Sequence, residues 1–214
     1  MSYSLNKDGA KQANEKMSGY IDKNGNYLLK IELAEWISGQ APKQSRGIRI
    51  HMIDANKAKA SIDLWFQKGD GTRNDMSANM LDGLMTCLSL QNLSESALNI
   101  AGKDMNTCPE LMDRVIGALI QTEKHAYMKD GEVKEIDKAM FYAVYQYKTN
   151  LTPIEILEGK TNPAELGKLT TMLENAKPRF TKEYKDLMNG SHQSGGSYGG
   201  GVPEVIDLDD DLPF

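Results

Sequence analysis

Arg46-Gly-Ile-Arg-Ile-His-Met-Ile-Asp54, the joint Ala55-Asn-Lys57 and Ala58-Lys-Ala-Ser-Ile-Asp-Leu-Trp-Phe-Gln-Lys68 decide how this chain folds. Apolar residues alternate through both halves. Ile48, Ile50 and Met52 fall on one side of the first, Arg49 and His51 on the other. In the second, Ala60, Ile62, Leu64 and Phe66 alternate with Lys59, Ser61, Asp63, Trp65 and Gln67. Successive side chains of a strand point to opposite faces, so each half predicts a half-buried strand. The short polar joint suits a hairpin. Its solvated face would carry Arg49, His51, Lys59 and Trp65. An indole set among cations on such a face is costly unless a flat partner stacks on it. The alternative for Trp65 is a second core under a loop or helix.

Upstream, Tyr27–Trp36 also alternates, after a turn-like Gly25-Asn26. Tyr27, Leu29, Ile31 and Leu33 take one face; Lys30, Glu32, Ala34 and Trp36 take the other. This predicts a neighbouring strand with Trp36 on the same outward face as Trp65. Downstream, the period changes to that of a helix from Asn74, with Met76, Met80, Leu81, Leu84, Met85 and Leu88 recurring at three and four. Gln91 to Cys108 reads as a polar connector. Val115-Ile-Gly-Ala-Leu-Ile120 reads as a strand, Met128-Lys-Asp-Gly-Glu132 as a hairpin turn, and Glu135–Lys148 as a fifth strand rich in aromatic and β-branched residues. Tyr145 belongs to that strand and is a candidate stacking residue, although the pattern does not assign its faces.

Three strands, a helix and a two-strand hairpin follow the order of an OB-fold, a five-stranded Greek-key barrel with a helix between strands three and four. The expected class is therefore mainly β with helices. Leu151–Leu157 and Asn162–Ala176 read as a helical appendage, the second with Asn162 as its cap and Pro163 at its first position. Such helices pack on the barrel or serve partner binding or self-association. The chain thus divides into an extension (1–20), a barrel domain (21–150), the appendage (151–189), a linker (190–203) and a tip (204–214).

The tip, Glu204-Val-Ile-Asp-Leu-Asp-Asp-Asp-Leu-Pro-Phe214, carries five carboxylates and no base. It cannot bury enough apolar area to offset its ordering entropy, so disorder is expected. It nevertheless ends on an apolar hook. Asp207, Asp209, Asp210 and Asp211 would steer it to a basic groove, and Leu212, Pro213 and Phe214 would anchor it there. A solubilising tail is the plainer alternative. Gly190–Gly201 holds nine Gly or Ser in twelve residues and gives a flexible reach of ~20 Å.

Charge is unevenly spread. The chain has 25 basic and 30 acidic residues; without the tip's five acids the body is neutral. Residues 40–73 hold seven bases against three acids. Arg46, Arg49, Lys59, Lys68 and Arg73 are therefore candidate phosphate ligands, or lysines guarding a sheet edge.

These residues carry a resemblance. Asp209-Asp210-Asp211-Leu212-Pro213-Phe214 resembles the C-terminal tip of bacterial single-stranded-DNA-binding proteins. The body looks like phage-encoded members of that class over Arg46-Gly-Ile-Arg-Ile50, Leu64-Trp65, Met80-Leu-Asp-Gly-Leu-Met-Thr-Cys-Leu88 and Ile116-Gly-Ala-Leu-Ile-Gln121. The resemblance implies an OB-fold and sequence-tolerant binding of single-stranded DNA during phage replication or recombination. It also implies a tip that recruits replication proteins in the bacterial cytoplasm. A strand-annealing or recombination mediator, or a protein-only adaptor, would share many of these features.

The motif search argues against an enzyme. No P-loop, nucleophile elbow or metalloprotease motif is present. The tip's carboxylates follow a flexible linker and cannot form a preorganised metal site. Cys87, Cys108 and the three histidines share no zinc spacing, so no metal or cofactor is expected. No run approaches the ~20 apolar residues of a membrane span, and the polar Met1–Ser18 is not a secretory leader.

Overall fold

The computed structural model describes residues 19–41, 44–100 and 102–190. The tip, almost all of the linker, most of the N-terminal extension and Lys43 lie outside the described residues.

The chain is mainly β with four described helices. The strands are β1 (Gly25–Ser38), β2 (Arg46–Asp54), β3 (Lys59–Gln67), β4 (Ser96–Ile100), β5 (Lys103–Thr107), β6 (Val115–Lys129), β7 (Glu132–Tyr145) and β8 (Arg179–Phe180). The helices are α1 (Asp75–Cys87), α2 (Pro153–Leu157), α3 (Glu165–Glu174) and α4 (Lys182–Gly190). The sheet has eight strands where five were expected, and ladder pairing does not close it into a barrel. One path runs β3-β2-β1-β5-β4. β6 also pairs with β1 and carries β7 and the short parallel β8.

The hairpin reading of β2 and β3 holds from the turn to Ile48 and Leu64; beyond them the register shifts by one residue, so Gln67 stands opposite Arg46 and leaves the side on which alternation had put it. Ile48, Ile50, Met52, Ala60, Ile62 and Leu64 are all buried, with Ile50 opposite Ile62 and Met52 opposite Ala60. Lys57 takes a left-handed φ of 64° at the turn. The second hairpin turns on Asp130-Gly131, both at positive φ, as a primed turn requires.

β1 departs from strict alternation. Its register against β2 shifts between Ile31 and Leu33, so Ile31 stands opposite Met52 but Leu33 opposite His51. One extra residue reverses the phase of everything after it. Ala34 is therefore buried and Trp36 lies opposite Ile48, on the core side. Gly25 and Asn26, read as a turn, are β1's first two residues and pair with Ile120 and Leu119.

The core lies between one side of β1, β2, β3 and β6 and the buried face of α1. Leu81, Leu84 and Cys87 of α1 join Leu29, Ile31, Ile48, Ile50, Ile116 and Ile120 there. Each fully buried Leu or Ile contributes ~1.5–3 kcal/mol relative to exposure. Burial pushes the Cys87 thiol up to about 12, as suits an inert core cysteine.

The other side of β6 is covered too. α3 lies against β1, β6 and β7, Leu173 is buried, and Gln121 donates to the Lys177 carbonyl at 3.1 Å. α3 begins later than its Asn162-Pro163 signal, at Glu165 with Ala164 as cap. The reason lies in α2. Oε1 of Glu155 accepts the amides of Ala164 at 2.6 Å and Glu165 at 3.0 Å, while Oε2 accepts the amide and hydroxyl of Thr152, both at 2.9 Å. One solvent-inaccessible carboxylate caps two helix starts. These donors, the Thr152 and Ala164 amides first, hold its carboxyl down to about 2.

Candidate nucleic-acid interface

The outward side of β1–β3 is built by alternation. β3 contributes Lys59, Ser61, Asp63 and Trp65; β2 contributes Gly47, Arg49 and His51; β1, after its bulge, contributes Leu33, Glu35 and Ile37. Trp65 is half-buried and stands outside the core cluster. Its ring rests against Gly47. A Cβ at position 47 would stand 3.0 Å from Cε3 of Trp65, 2.9 Å from the Leu64 carbonyl oxygen and 3.2 Å from Cγ1 of Ile37. Only glycine leaves the backbone bare enough for the indole to settle against it.

The cations of this face are largely engaged. Arg49 grips Asp63 through two parallel hydrogen bonds, Nε to Oδ1 at 2.6 Å and Nη2 to Oδ2 at 2.7 Å. Its Nη1 lies 3.7 Å from Glu35. This fork-to-fork pairing raises the guanidinium pKa further above its ordinary range. Glu35 also meets Nε2 of His51 at 3.3 Å. Arg46 reaches from β2 to Glu95 at 2.8 Å. Lys59 is exposed at the edge, where the Tyr20 segment pairs with β3 in parallel.

Four other expected site residues lie elsewhere. Trp36 packs edge-on against Phe66, with centroids 5.9 Å apart, and donates its indole N–H to the Ser94 carbonyl. It is a core-side residue, moved there by the bulge. Tyr145 is buried and lies directly over Gly117, where a Cβ would fall 2.0 Å from its ring. Its hydroxyl donates to Oδ1 of Asn26 at 2.6 Å, so it presents no stacking face. Arg73 binds Asp82 at 2.6 Å, Asn79 at 3.0 Å and Asp75 at 3.3 Å, which ties the β3 turn to the start of α1. Lys68 sits in that same turn. The tip residues from Asp207 to Phe214 lie outside the described residues.

The β4–β5 hairpin, within the stretch read as a connector, extends this sheet. Its only sequence signals were the brief alternation of Leu98 and Ile100 and the glycine at 102.

Elsewhere, a shallow cleft of about 410 Å³ lies between α1 and α2, lined by Asp82, Met85, Leu90, Ile156 and Leu157 among others. It shares no residue with the Trp65 face. No group of three metal-ligating side chains is clustered among the described residues, and no described helix is long and apolar enough to cross a membrane. No protein-family model and no curated protein matches the chain.

Proposed function

We propose that the chain is a non-catalytic single-stranded-DNA-binding protein that holds extended strands on the Trp65 face without sequence preference. The observation that carries this reading is Trp65 itself: an indole lying on the outward side of β3 and seated on Gly47, with Arg49 of the neighbouring strand opposite Asp63, two residues from it, and His51 and Lys59 further along the same face. Every base offers a π-face, so an aromatic platform among cations retains single strands of any sequence.

The strand path supports an OB-type architecture. The order β3-β2-β1-β6-β7, with α1 between β3 and β6, follows the five-stranded Greek key, with β4–β5 and β8 as additions. β3 and β7 approach each other without a ladder. On this reading the acidic tip recruits replication or recombination proteins, and the work is done in the bacterial cytoplasm during phage DNA replication.

Because Arg49 is held by Asp63, stacking should outweigh phosphate contacts. The test is a titration of labelled single-stranded and duplex oligonucleotides of several sequences across salt concentrations. The expected result is preference for single strands, tolerance of sequence and a modest salt slope. Equal affinity for duplex, or dependence on one sequence, would overturn the proposal.

A further inference from the structure

Register sorts the side chains of the β4–β5 hairpin. Thr107 of β5 stands opposite Glu35 of β1, and Glu35 stands opposite Arg49, which stands opposite Asp63. Opposed residues share a face, and faces alternate along a strand. Thr107, Met105 and Lys103 therefore lie on the Trp65 side, and Ser96, Leu98 and Ile100 lie there with them. Ala97, Asn99, Asp104 and Asn106 take the opposite side.

The two sides differ in chemistry. The Trp65 side of the hairpin holds Leu98, Ile100 and Met105 with one cation, Lys103, and no acid. The hairpin's acid, Asp104, is on the other side, where it accepts from Asn99 at 2.6 Å. Leu98 is 42% exposed, and the hairpin packs chiefly on itself and on β1. A lone two-stranded ribbon is marginal in water. This one keeps apolar groups and a cation facing the side where Trp65 stands, which is the complement of a polyanion with flat apolar bases.

We infer that the β4–β5 hairpin is the second half of the single-strand-binding surface. A strand seated on Trp65 crosses β2 and β1, lays further bases on Leu98, Ile100 and Met105, and places a phosphate against Lys103. This inference rests on the reading of the Trp65 face given above. The contiguous order β3-β2-β1-β5-β4 puts Met105 and Lys103 three strand spacings from β3 and Leu98 and Ile100 four, ~14–19 Å, so the hairpin serves longer strands only.

The experiment uses the full chain in a Trp36→Phe background, where emission reports Trp65. Labelled oligothymidylates of about 4 and about 16 nucleotides bracket the expected site size. Leu98→Ala/Met105→Ala and Lys103→Ala are compared with the parent, and circular dichroism verifies the fold. Each variant should bind the longer probe about tenfold more weakly and the shorter one unchanged, with Trp65 quenching retained. Parent-like binding of both probes with quenching intact overturns this inference alone. An unquenched Trp65 in the parent removes the Trp65 reading and this inference with it. Loss of a self-associated species from the double variant in sedimentation velocity, with DNA binding unchanged, also overturns it and gives the apolar face to a second copy of the chain.

Discussion

Gly47 and Trp65 form a matched pair across the β2–β3 ladder: a bare backbone on one strand and an indole settled on it from the other, where a Cβ at position 47 would press on the ring at 3.0 Å and on the Leu64 carbonyl oxygen at 2.9 Å. Gly47→Ala should therefore lift the indole and strain the strand, since the Leu64 carbonyl behind it is backbone and cannot swing away. A loss of ~1–3 kcal/mol in stability is expected, with altered tryptophan emission. Thermal melts and emission spectra of the variant check both.

The two tryptophans should separate cleanly. Trp65→Ala should leave the fold intact and weaken single-strand binding by ~1–3 kcal/mol. Trp36→Ala removes a ring packed on Phe66 and the core, and should cost ~3 kcal/mol of stability. Denaturant melts beside oligonucleotide titrations distinguish the two. An unfolded Trp65→Ala would return that residue to the core.

Asp63→Asn should strengthen binding. It removes the carboxylate that grips Arg49 and leaves the guanidinium to Glu35 at 3.7 Å and to solvent. One more phosphate contact should steepen the salt dependence of binding by ~1 in the log–log slope. Affinity measured at several salt concentrations gives that slope directly.

Acid sensitivity should trace in part to Glu155. Its folded pKa of about 2 lies below the ~4.3 of an unfolded glutamate. The stability it contributes is thus complete above about pH 4.3 and is lost as pH falls toward 2. Glu155→Gln should be less stable at neutral pH and show a shallower decline across that acid window. Melting temperatures of both proteins from neutral pH to about pH 2 make the comparison.

Deleting residues 202–214 removes five carboxylates and no base. Single-strand affinity should rise, most visibly at low salt, where screening is weakest. Deleting Phe214 alone should leave that affinity unchanged and abolish capture of a replication partner. Titrations and pull-downs with the three proteins test both expectations.

Much of this fold could be read from side-chain periodicity, because β2, β3 and α1 each bury a single face. Arg49, His51, Lys59 and Trp65 fell on the outward side for that reason. Trp36 did not, because a bulge near Glu32 depends on which partner residues the strand meets, and alternation within β1 carries no sign of it. Tyr145 was ambiguous because the start of β6 and the end of β7 that pairs with it are covered on both sides, which erases the period of two there. The β4–β5 hairpin was missed because its strands are short and exposed. A ribbon that packs on little has little apolar pattern to show. The late start of α3 escaped notice because its cap comes from Glu155, ten residues upstream of its first residue.

That distant cap has a kinetic consequence. Once Glu155 lets go, the starts of α2 and α3 lose their acceptor together, so neither helix end can fray independently of the other. The amides of Thr152, Ala164 and Glu165 should then share one opening event and exchange with solvent deuterium at closely similar protection. The exposed stretch between the two helices would behave as a clasp that opens as a unit.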